Sequence, residues 1–293
     1  MKTAWIFPGQ GSQILGMGVD LLAIDSAKKT FDRAAEILGW SVVDICQNDE
    51  LKLANTLYTQ PCLYVVESIL VDLLKQQGLT PDVVAGHSLG EYVALYAAGV
   101  FDFDTGLQLV KRRAKLMAQA SEGGMTALLG FDRAQLEAAI ADTPDVVIAN
   151  DNSAAQVVIS GTAAGIATVV SQIKVKRAIP LNVSGAFHSP MMATAATEFG
   201  HLLAAIDFDD AQIPFLSNVS PIATTKGSKL KEHLNSQITS SVRWREISLQ
   251  LPELGIQQAI EVGPGKVLGG LIKRTCEGIS VVQVGTRSEL ESM

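Results

Sequence analysis

The chain has few cysteines, few aromatic residues and no excess of positive charge. Its three cysteines, Cys46, Cys62 and Cys276, are widely separated among 293 residues and form no C-x-x-C pair. This spacing argues against a disulfide framework and a structural zinc site, and no metal site is expected. Buried thiols in a reducing cytoplasm are the simplest interpretation. The net charge of −7, without a long basic tract, argues against a nucleic-acid partner.

Long apolar runs are also scarce. The residues after Met1 lead into Pro8-Gly9-Gln10-Gly11 without the apolar core or cleavage site of a signal peptide. We expect no stretch to be long enough to span a bilayer. We therefore expect a cytoplasmic protein with no membrane partner. Nothing in the sequence demands an oligomer, so a monomer is expected.

The order of strand-like and helix-like segments predicts an α/β fold. Alternation before residue 123 predicts a mostly parallel sheet covered on both faces, and the same alternation resumes after residue 185. Between them, the order β-α-β-β-α-β is that of a ferredoxin-like unit. We expect a large domain of residues 1–123 and 185–293, with residues 124–184 inserted as a small subdomain. The cleft between the two is the natural place for a substrate.

Gly86-His87-Ser88-Leu89-Gly90 is a G-x-S-x-G pentapeptide placed between a predicted strand and a predicted helix. This context is typical of a serine nucleophile on a sharp turn, with the N–H of the next residue free to bind an oxyanion. The alternative is an ordinary turn between a strand and a helix, because a glycine-rich chain can produce this motif by chance.

A serine nucleophile needs a base, and only four histidines are available. His87 adjoins the serine and is interpreted as a structural residue beneath the turn. His201 and His233 lie among polar neighbours on predicted helices. His188 lies in a loop of small residues, where functional groups are often displayed, and is the preferred base if it lies near Ser88. The alternative is a loop histidine without function.

Arg113 is the second informative residue. On a helical wheel of residues 104–120 it falls within the apolar arc formed by Leu109, Val110, Ala114, Leu116, Met117 and Ala120. Its guanidinium is therefore expected to point into the protein and to need an anionic partner. That partner is either an internal Asp or Glu or a substrate carboxylate held by two hydrogen bonds.

The loop Pro8-Gly9-Gln10-Gly11-Ser12-Gln13 follows the first predicted strand. Such a loop suits an oxyanion hole in which the N–H groups of Gln10 and Leu89 act together. A phosphate-binding turn or a plain strand exit is the alternative. The loop lacks the third glycine of G-x-G-x-x-G, and Gly263-Pro264-Gly265-Lys266 lacks the Lys-Ser/Thr ending of a P-loop.

These segments, together with Ala186-Phe187-His188-Ser189 and the residues 261–268, resemble malonyl-CoA:acyl-carrier-protein transacylases in order over nearly the whole chain. The resemblance implies an α/β-hydrolase-like large domain with an inserted ferredoxin-like subdomain. It implies that Ser88 carries the acyl group, His188 is its base, and Gln10 and Leu89 supply the oxyanion amides. It further implies that Arg113 binds the malonyl carboxylate.

The resemblance extends to two further positions. Gln237 matches a residue whose main-chain carbonyl orients the histidine, and Phe187 matches a bulky ring that crowds the 2-methyl group of methylmalonyl. One methyl group changes discrimination by about 1 to 3 kcal/mol, so a preference for malonyl without absolute exclusion is expected. The residues 240–244 depart from the Asn-Pro-Val pattern common in relatives.

The implied substrates are malonyl-CoA and an acyl carrier protein, with no bound cofactor. The implied role is fatty-acid chain extension, and service to a polyketide synthase is the alternative. Two other classes stay open: a lipase-like serine hydrolase, whose histidine usually comes late in the chain, and a noncatalytic binding module. A basic surface for an acidic carrier could form from Arg243, Arg245, Lys266, Lys273 and Arg274. Scattered solvated charges are the alternative.

Overall fold

The computed structural model describes all 293 residues. The strands are β1 (Thr3–Phe7), β2 (Val83–Gly86), β3 (Gly124–Phe131), β4 (Val146–Ser153), β5 (Gln156–Gly161), β6 (Val175–Pro180), β7 (Phe215–Leu216), β8 (Gln258–Val262) and β9 (Ser280–Val284). The helices are α1 (Asp25–Leu38), α2 (Val42–Asn48), α3 (Glu50–Leu53), α4 (Thr56–Gln76), α5 (Gly90–Ala97), α6 (Phe103–Ala118), α7 (Arg133–Ala141), α8 (Ala163–Gln172), α9 (Ala193–Ala204), α10 (Gly227–Gln237), α11 (Trp244–Glu253), α12 (Val267–Thr275) and α13 (Arg287–Glu291).

Five strands form a parallel sheet in the order β7-β2-β1-β8-β9. The chain builds outward from β1 to β2 and β7, and then returns to the other side of β1 for β8 and β9. In open α/β sheets, ligands bind at the carboxyl ends of the strands near such a reversal. The loops after β1 and β2 are therefore placed together at the position where a site is expected.

Both faces of this sheet are covered, because alternate residues of each strand enter different cores. Trp5 and Phe7 of β1 belong to a cluster of 54 buried residues that includes most of α4, α5 and α6. Ala4 and Ile6 belong to a second cluster with residues of α11 and α12. The side-chain period of two along a strand produces this division.

The other four strands form an antiparallel sheet in the order β4-β5-β3-β6. With α7 and α8, which pack on it over a separate core of nine buried residues, this is the ferredoxin-like arrangement that the order of segments predicted. The α/β fold class, with a parallel sheet and a separate small antiparallel sheet, is confirmed.

Helix α4 corrects one expectation. It begins at Thr56, because the Asn55 side chain accepts a hydrogen bond from the Leu57 N–H and caps the helix. The expectation that no stretch could span a bilayer was wrong for this helix, whose length and apolar composition are sufficient. However, 83% of its apolar window is buried inside the protein. Its apolar character comes from its position as a central core helix.

Candidate active site

Ser88 lies on a sharp turn between β2 and α5, with a positive φ of 52° that non-glycine residues rarely adopt. The flanking glycines make the turn possible. A Cβ on Gly86 would lie 2.0 Å from the carbonyl of Gly90, and one on Gly90 would lie 2.0 Å from the Phe7 carbonyl oxygen. The Ser88 N–H donates to Asn218 Oδ1 at 2.8 Å. The turn therefore holds the serine side chain over the carboxyl end of the sheet.

His188 lies beside this serine, although 100 residues separate them in sequence. Its Nε2 is 2.7 Å from Ser88 Oγ, and its Nδ1 is 3.0 Å from the Gln237 carbonyl oxygen and 3.1 Å from that of Ser240. Carbonyl oxygens only accept hydrogen bonds, so Nδ1 carries the hydrogen and Nε2 presents its lone pair to the serine. His188 also has a positive φ, of 56°, and it and Ser88 are the two non-glycine residues with this backbone conformation.

Burial, together with the nearby Arg113 charge, lowers the pKa of His188 to about 3. The imidazole is therefore neutral at physiological pH, as a proton acceptor must be. The Ser240 carbonyl is a second acceptor that the sequence reasoning did not include. Residues 240–244 depart from the pattern common in relatives, yet two main-chain carbonyl oxygens lie within hydrogen-bond distance of His188 Nδ1.

Arg113 is 1% exposed and extends from α6 toward the serine, as the helical wheel predicted. Its Nη2 donates to Ser88 Oγ and to Gln237 Oε1, both at 3.0 Å, and its Nη1 donates to Gln60 Oε1 at 2.8 Å. Its Nε has no partner. The expected internal Asp or Glu partner is absent, because no carboxylate oxygen lies within 4.0 Å of the guanidinium. The alternative partner, a carboxylate on the substrate, stays open.

The backbone amides of Gln10 and Leu89 make no hydrogen bond within the protein. Gly9 allows the loop after β1 to approach the turn after β2. A Cβ on Gly9 would lie 2.4 Å from the His87 carbonyl oxygen and 3.6 Å from the Leu89 nitrogen. The Gln10 side chain is held aside by a 3.0 Å hydrogen bond from its Nε2 to Thr56 Oγ1. Both N–H groups are thus free to donate to a ligand above the serine.

A small cavity of about 90 Å³ opens over these groups. Its wall contains all the predicted side chains except Gln237, and also includes Met117, Met125, Asn150, Leu181 and Val183. Phe187 lies in this wall and is 4% exposed. A second cavity of about 680 Å³ adjoins the first, because Val183 lines both. The small cavity can hold a short acyl group, and the larger one leads away from it toward the surface.

Three residues of the site were missed by the sequence reasoning. Gln60 binds Arg113, Asn218 bridges the Ser88 N–H and the Gly86 carbonyl, and Glu91 accepts hydrogen bonds from Ser217 Oγ at 2.7 Å and Gln237 Nε2 at 2.5 Å. Burial raises the pKa of Glu91 to about 7, against the effect of these donors. A buried polar residue inside an apolar helix was the available signal for Gln60.

The remaining histidines make no hydrogen bond to Ser88, although His87 also lines the small cavity. His87 Nε2 is 2.9 Å from Asn152 Oδ1, and the ring lies 5.7 Å from that of Trp244, beneath the turn. Burial lowers the pKa of His87. His201 is exposed and His233 is half-buried on their helices.

The predicted basic surface is reduced by ion pairs. Arg243 pairs with Glu246, and Arg245 pairs with Asp151. Lys266, Lys273 and Arg274 are exposed on or next to α12 without an ion-pair partner. The candidate carrier surface therefore consists of these three cations.

The class of protein follows from comparison with known families. Residues 4–288 match the acyl transferase domain family. The chain is 58% identical to the malonyl CoA-acyl carrier protein transacylase of Synechocystis sp., over all of both chains, and their structures superpose with a TM-score of 0.99. It is 40% identical to the corresponding protein of Bacillus subtilis, over 99% of this chain and 95% of that one.

Two further relatives are associated with polyketide synthesis. The polyketide biosynthesis malonyl CoA-acyl carrier protein transacylase PksC of Bacillus subtilis is 44% identical, over 92% of this chain and 96% of that one. A malonyl-transacylase solved with its type II polyketide acyl-carrier protein is 34% identical, covers 100% of this chain and 98% of that one, and has a TM-score of 0.94. The chain belongs to the malonyl-CoA:acyl-carrier-protein transacylase family, as its motifs predicted.

Proposed function

We propose that this protein transfers the malonyl group of malonyl-CoA to the phosphopantetheine thiol of an acyl carrier protein, through a malonyl ester of Ser88. The observation that carries the proposal is Arg113. Its buried guanidinium has no carboxylate partner and lies 3.0 Å from the serine oxygen that would bear the acyl group. A malonyl group attached there presents its free carboxylate to that charge.

The geometry supports a two-step exchange. Ser88 Oγ accepts a hydrogen bond from Arg113, so its own hydrogen points to His188 Nε2. His188 takes this proton as Oγ attacks the thioester carbonyl. The C–S bond then breaks, and the leaving thiolate of coenzyme A receives the proton from His188. In the second step the carrier thiol gives its proton to His188 and attacks the ester carbonyl. The bond between the acyl carbon and Ser88 Oγ then breaks, and His188 returns the proton to Ser88 Oγ.

Four residues support these steps without exchanging protons. The free N–H groups of Gln10 and Leu89 stabilise the oxyanion of each tetrahedral intermediate. The carbonyl of Gln237 holds the tautomer of His188 and stabilises its charge, so no aspartate is required. Phe187 narrows the acyl cavity and so favours malonyl over methylmalonyl by about 1 to 3 kcal/mol.

The adjoining cavity of about 680 Å³ suits the pantetheine arm that both substrates share. Asn55, Thr56, Asn182 and Ser184 supply amide and hydroxyl groups along its wall, and Lys115 lies in the wall as well. Amide groups in the arm match this lining, and a phosphate at its end matches the lysine. We place residues 1–123 and 185–293 in one domain and 124–184 in the other, with this route between them.

The acyl carrier protein, as the second substrate, would dock near the mouth of this route. The three free, buried cysteines are consistent with work in a reducing cytoplasm. Fatty-acid chain extension is the favoured role, in keeping with the relative that is 58% identical over its whole length. The polyketide-associated relatives support the alternative that the malonyl group serves a polyketide synthase.

Intact-protein mass spectrometry tests the proposal. Wild type and Ser88→Ala are mixed with malonyl-CoA, and a carrier protein bearing phosphopantetheine is then added. We expect wild type to gain one malonyl group and pass it to the carrier, while Ser88→Ala gains none. Release of free malonate without carrier would indicate a hydrolase. The absence of any adduct on wild type would indicate a binding module.

A further inference from the structure

The guanidinium of Arg113 lies over the Tyr92 ring, 5.3 Å from its centroid, and donates hydrogen bonds only to neutral acceptors. They are the amide oxygens of Gln60 and Gln237 and the hydroxyl of Ser88, at 2.8 to 3.0 Å. A buried arginine is usually paired with a carboxylate, because an isolated charge is costly to remove from water. Here the positive charge is fixed in place and yet not neutralised.

A carboxylate is nevertheless present one residue away. Glu91 is 1% exposed, and its Oε2 binds Gln237 Nε2 at 2.5 Å. The same Nε2 donates to the Ser88 carbonyl oxygen at 2.8 Å, and a carbonyl can only accept. The amide of Gln237 therefore has one orientation, with its oxygen toward Arg113, and it separates the two buried charges.

Gln60 has a similar constraint on the other side. It is 1% exposed on α4, and its Nε2 lies 3.4 Å from the sulfur of Met117. Sulfur is only a weak acceptor and carries no hydrogen, so the amide hydrogens face it and the amide oxygen faces Arg113. A glutamate at this position would have the same shape and would place a negative charge 2.8 Å from the guanidinium.

We propose that Gln60 and Gln237 are positioning residues that hold Arg113 without neutralising it, and that they thereby determine selectivity for acyl groups bearing a carboxylate. This inference rests on the proposed malonyl transfer. The preference for acyl groups that bear a carboxylate then depends on how much negative charge already lies close to Arg113. Negative charge added near Arg113 competes with the substrate carboxylate. Negative charge removed from this region strengthens the attraction between Arg113 and that carboxylate.

The test compares formation of the acyl-enzyme from malonyl-CoA and from acetyl-CoA at pH 8, in the full-length protein, by intact mass against time. In Gln60→Glu we expect the malonyl rate to fall at least a hundredfold and the acetyl rate to fall less than tenfold. The matched control is Gln60→Met, which fills the same volume without charge. It is expected to retain most of the preference for malonyl.

Glu91→Gln provides an independent test if Gln60→Glu fails to fold. Its amide oxygen can still accept from Gln237, but its charge is gone, so the ratio of malonyl to acetyl rates is expected to rise severalfold. An unchanged ratio in Gln60→Glu, a loss in Gln60→Met equal to that in Gln60→Glu, or a falling ratio in Glu91→Gln would overturn the inference. Wild type that gains no malonyl adduct would instead overturn the proposed function.

Discussion

Replacing Arg113 by alanine separates recognition of the acyl carboxylate from the chemistry at Ser88. The side chain is fully buried and its charge has no ionic partner, so a bound malonyl carboxylate would form its principal ion pair there. Loss of one partner of a buried, hydrogen-bonded ion pair costs about 3 to 5 kcal/mol. With a factor of ten for each 1.4 kcal/mol, the malonyl rate is expected to fall by about two to three and a half orders of magnitude.

Acetyl-CoA is the matched substrate, because its acyl group has no carboxylate to bind. Its rate is expected to fall by less than about tenfold, through loss of the hydrogen bond from Arg113 to Ser88 Oγ. Arg113→Lys keeps the charge but not the planar pair of donors, so it is expected to give an intermediate malonyl rate. The assay is the rate of acyl-enzyme formation for each substrate. Equal losses for malonyl and acetyl in Arg113→Ala would refute the carboxylate assignment.

Three further outcomes are expected. The imidazole of His188, with its pKa lowered to about 3, stays neutral in the folded protein while the unfolded chain binds a proton below about pH 6.5. Urea denaturation of wild type should therefore show about 1.6 kcal/mol more loss of stability between pH 6.5 and 5 than His188→Gln, and equal losses would contradict the lowered pKa. Gly90→Ala should lower the free energy of unfolding by at least about 3 kcal/mol, because its Cβ would lie 2.0 Å from a main-chain oxygen. Gly270→Ala, whose Cβ would meet only Arg274 Nη2 at an ordinary 3.8 Å, should raise the free energy of unfolding by about 0.5 to 1 kcal/mol in the same urea denaturation experiment. Charge reversal at Lys273 and Arg274 should raise KM for the carrier protein and leave KM for malonyl-CoA unchanged, and two unchanged constants would exclude docking at these residues.

The order of strand-like and helix-like segments predicted the fold class, because each segment's hydrophobic spacing follows from the faces it buries. The alternation of segments before residue 123 and after residue 185 predicted the parallel sheet, and the order β-α-β-β-α-β predicted the antiparallel one. The helices α2 and α11 carry weaker local signals. The helix α2 has only seven residues, and α11 contains Pro252, which is unfavourable in a helix interior.

Site residues were predictable where a motif or a polar residue on an apolar face marked them, as for Ser88 and Arg113. The hydrogen-bond network around them was not. Glu91 and Gln237 meet although 146 residues apart, and Asn218 reaches Ser88 across 130 residues. Such contacts depend on how the parallel strands assemble, and the spacing of residues in the sequence does not indicate them. The roles assigned to these residues stay predictions until they are tested by substitution.

The left-handed backbone at Ser88 and His188 costs stability at both proposed catalytic positions. A non-glycine residue in that conformation costs about 1 to 3 kcal/mol, and glycine adopts it freely. At Ser88, which is half-buried, glycine would relieve this strain and remove the proposed acyl acceptor. At His188, which is 3% exposed, glycine would leave a cavity whose cost offsets the relief. Directed evolution for heat resistance alone would therefore favour loss of Ser88 but not of His188, so any such selection must also demand acyl transfer.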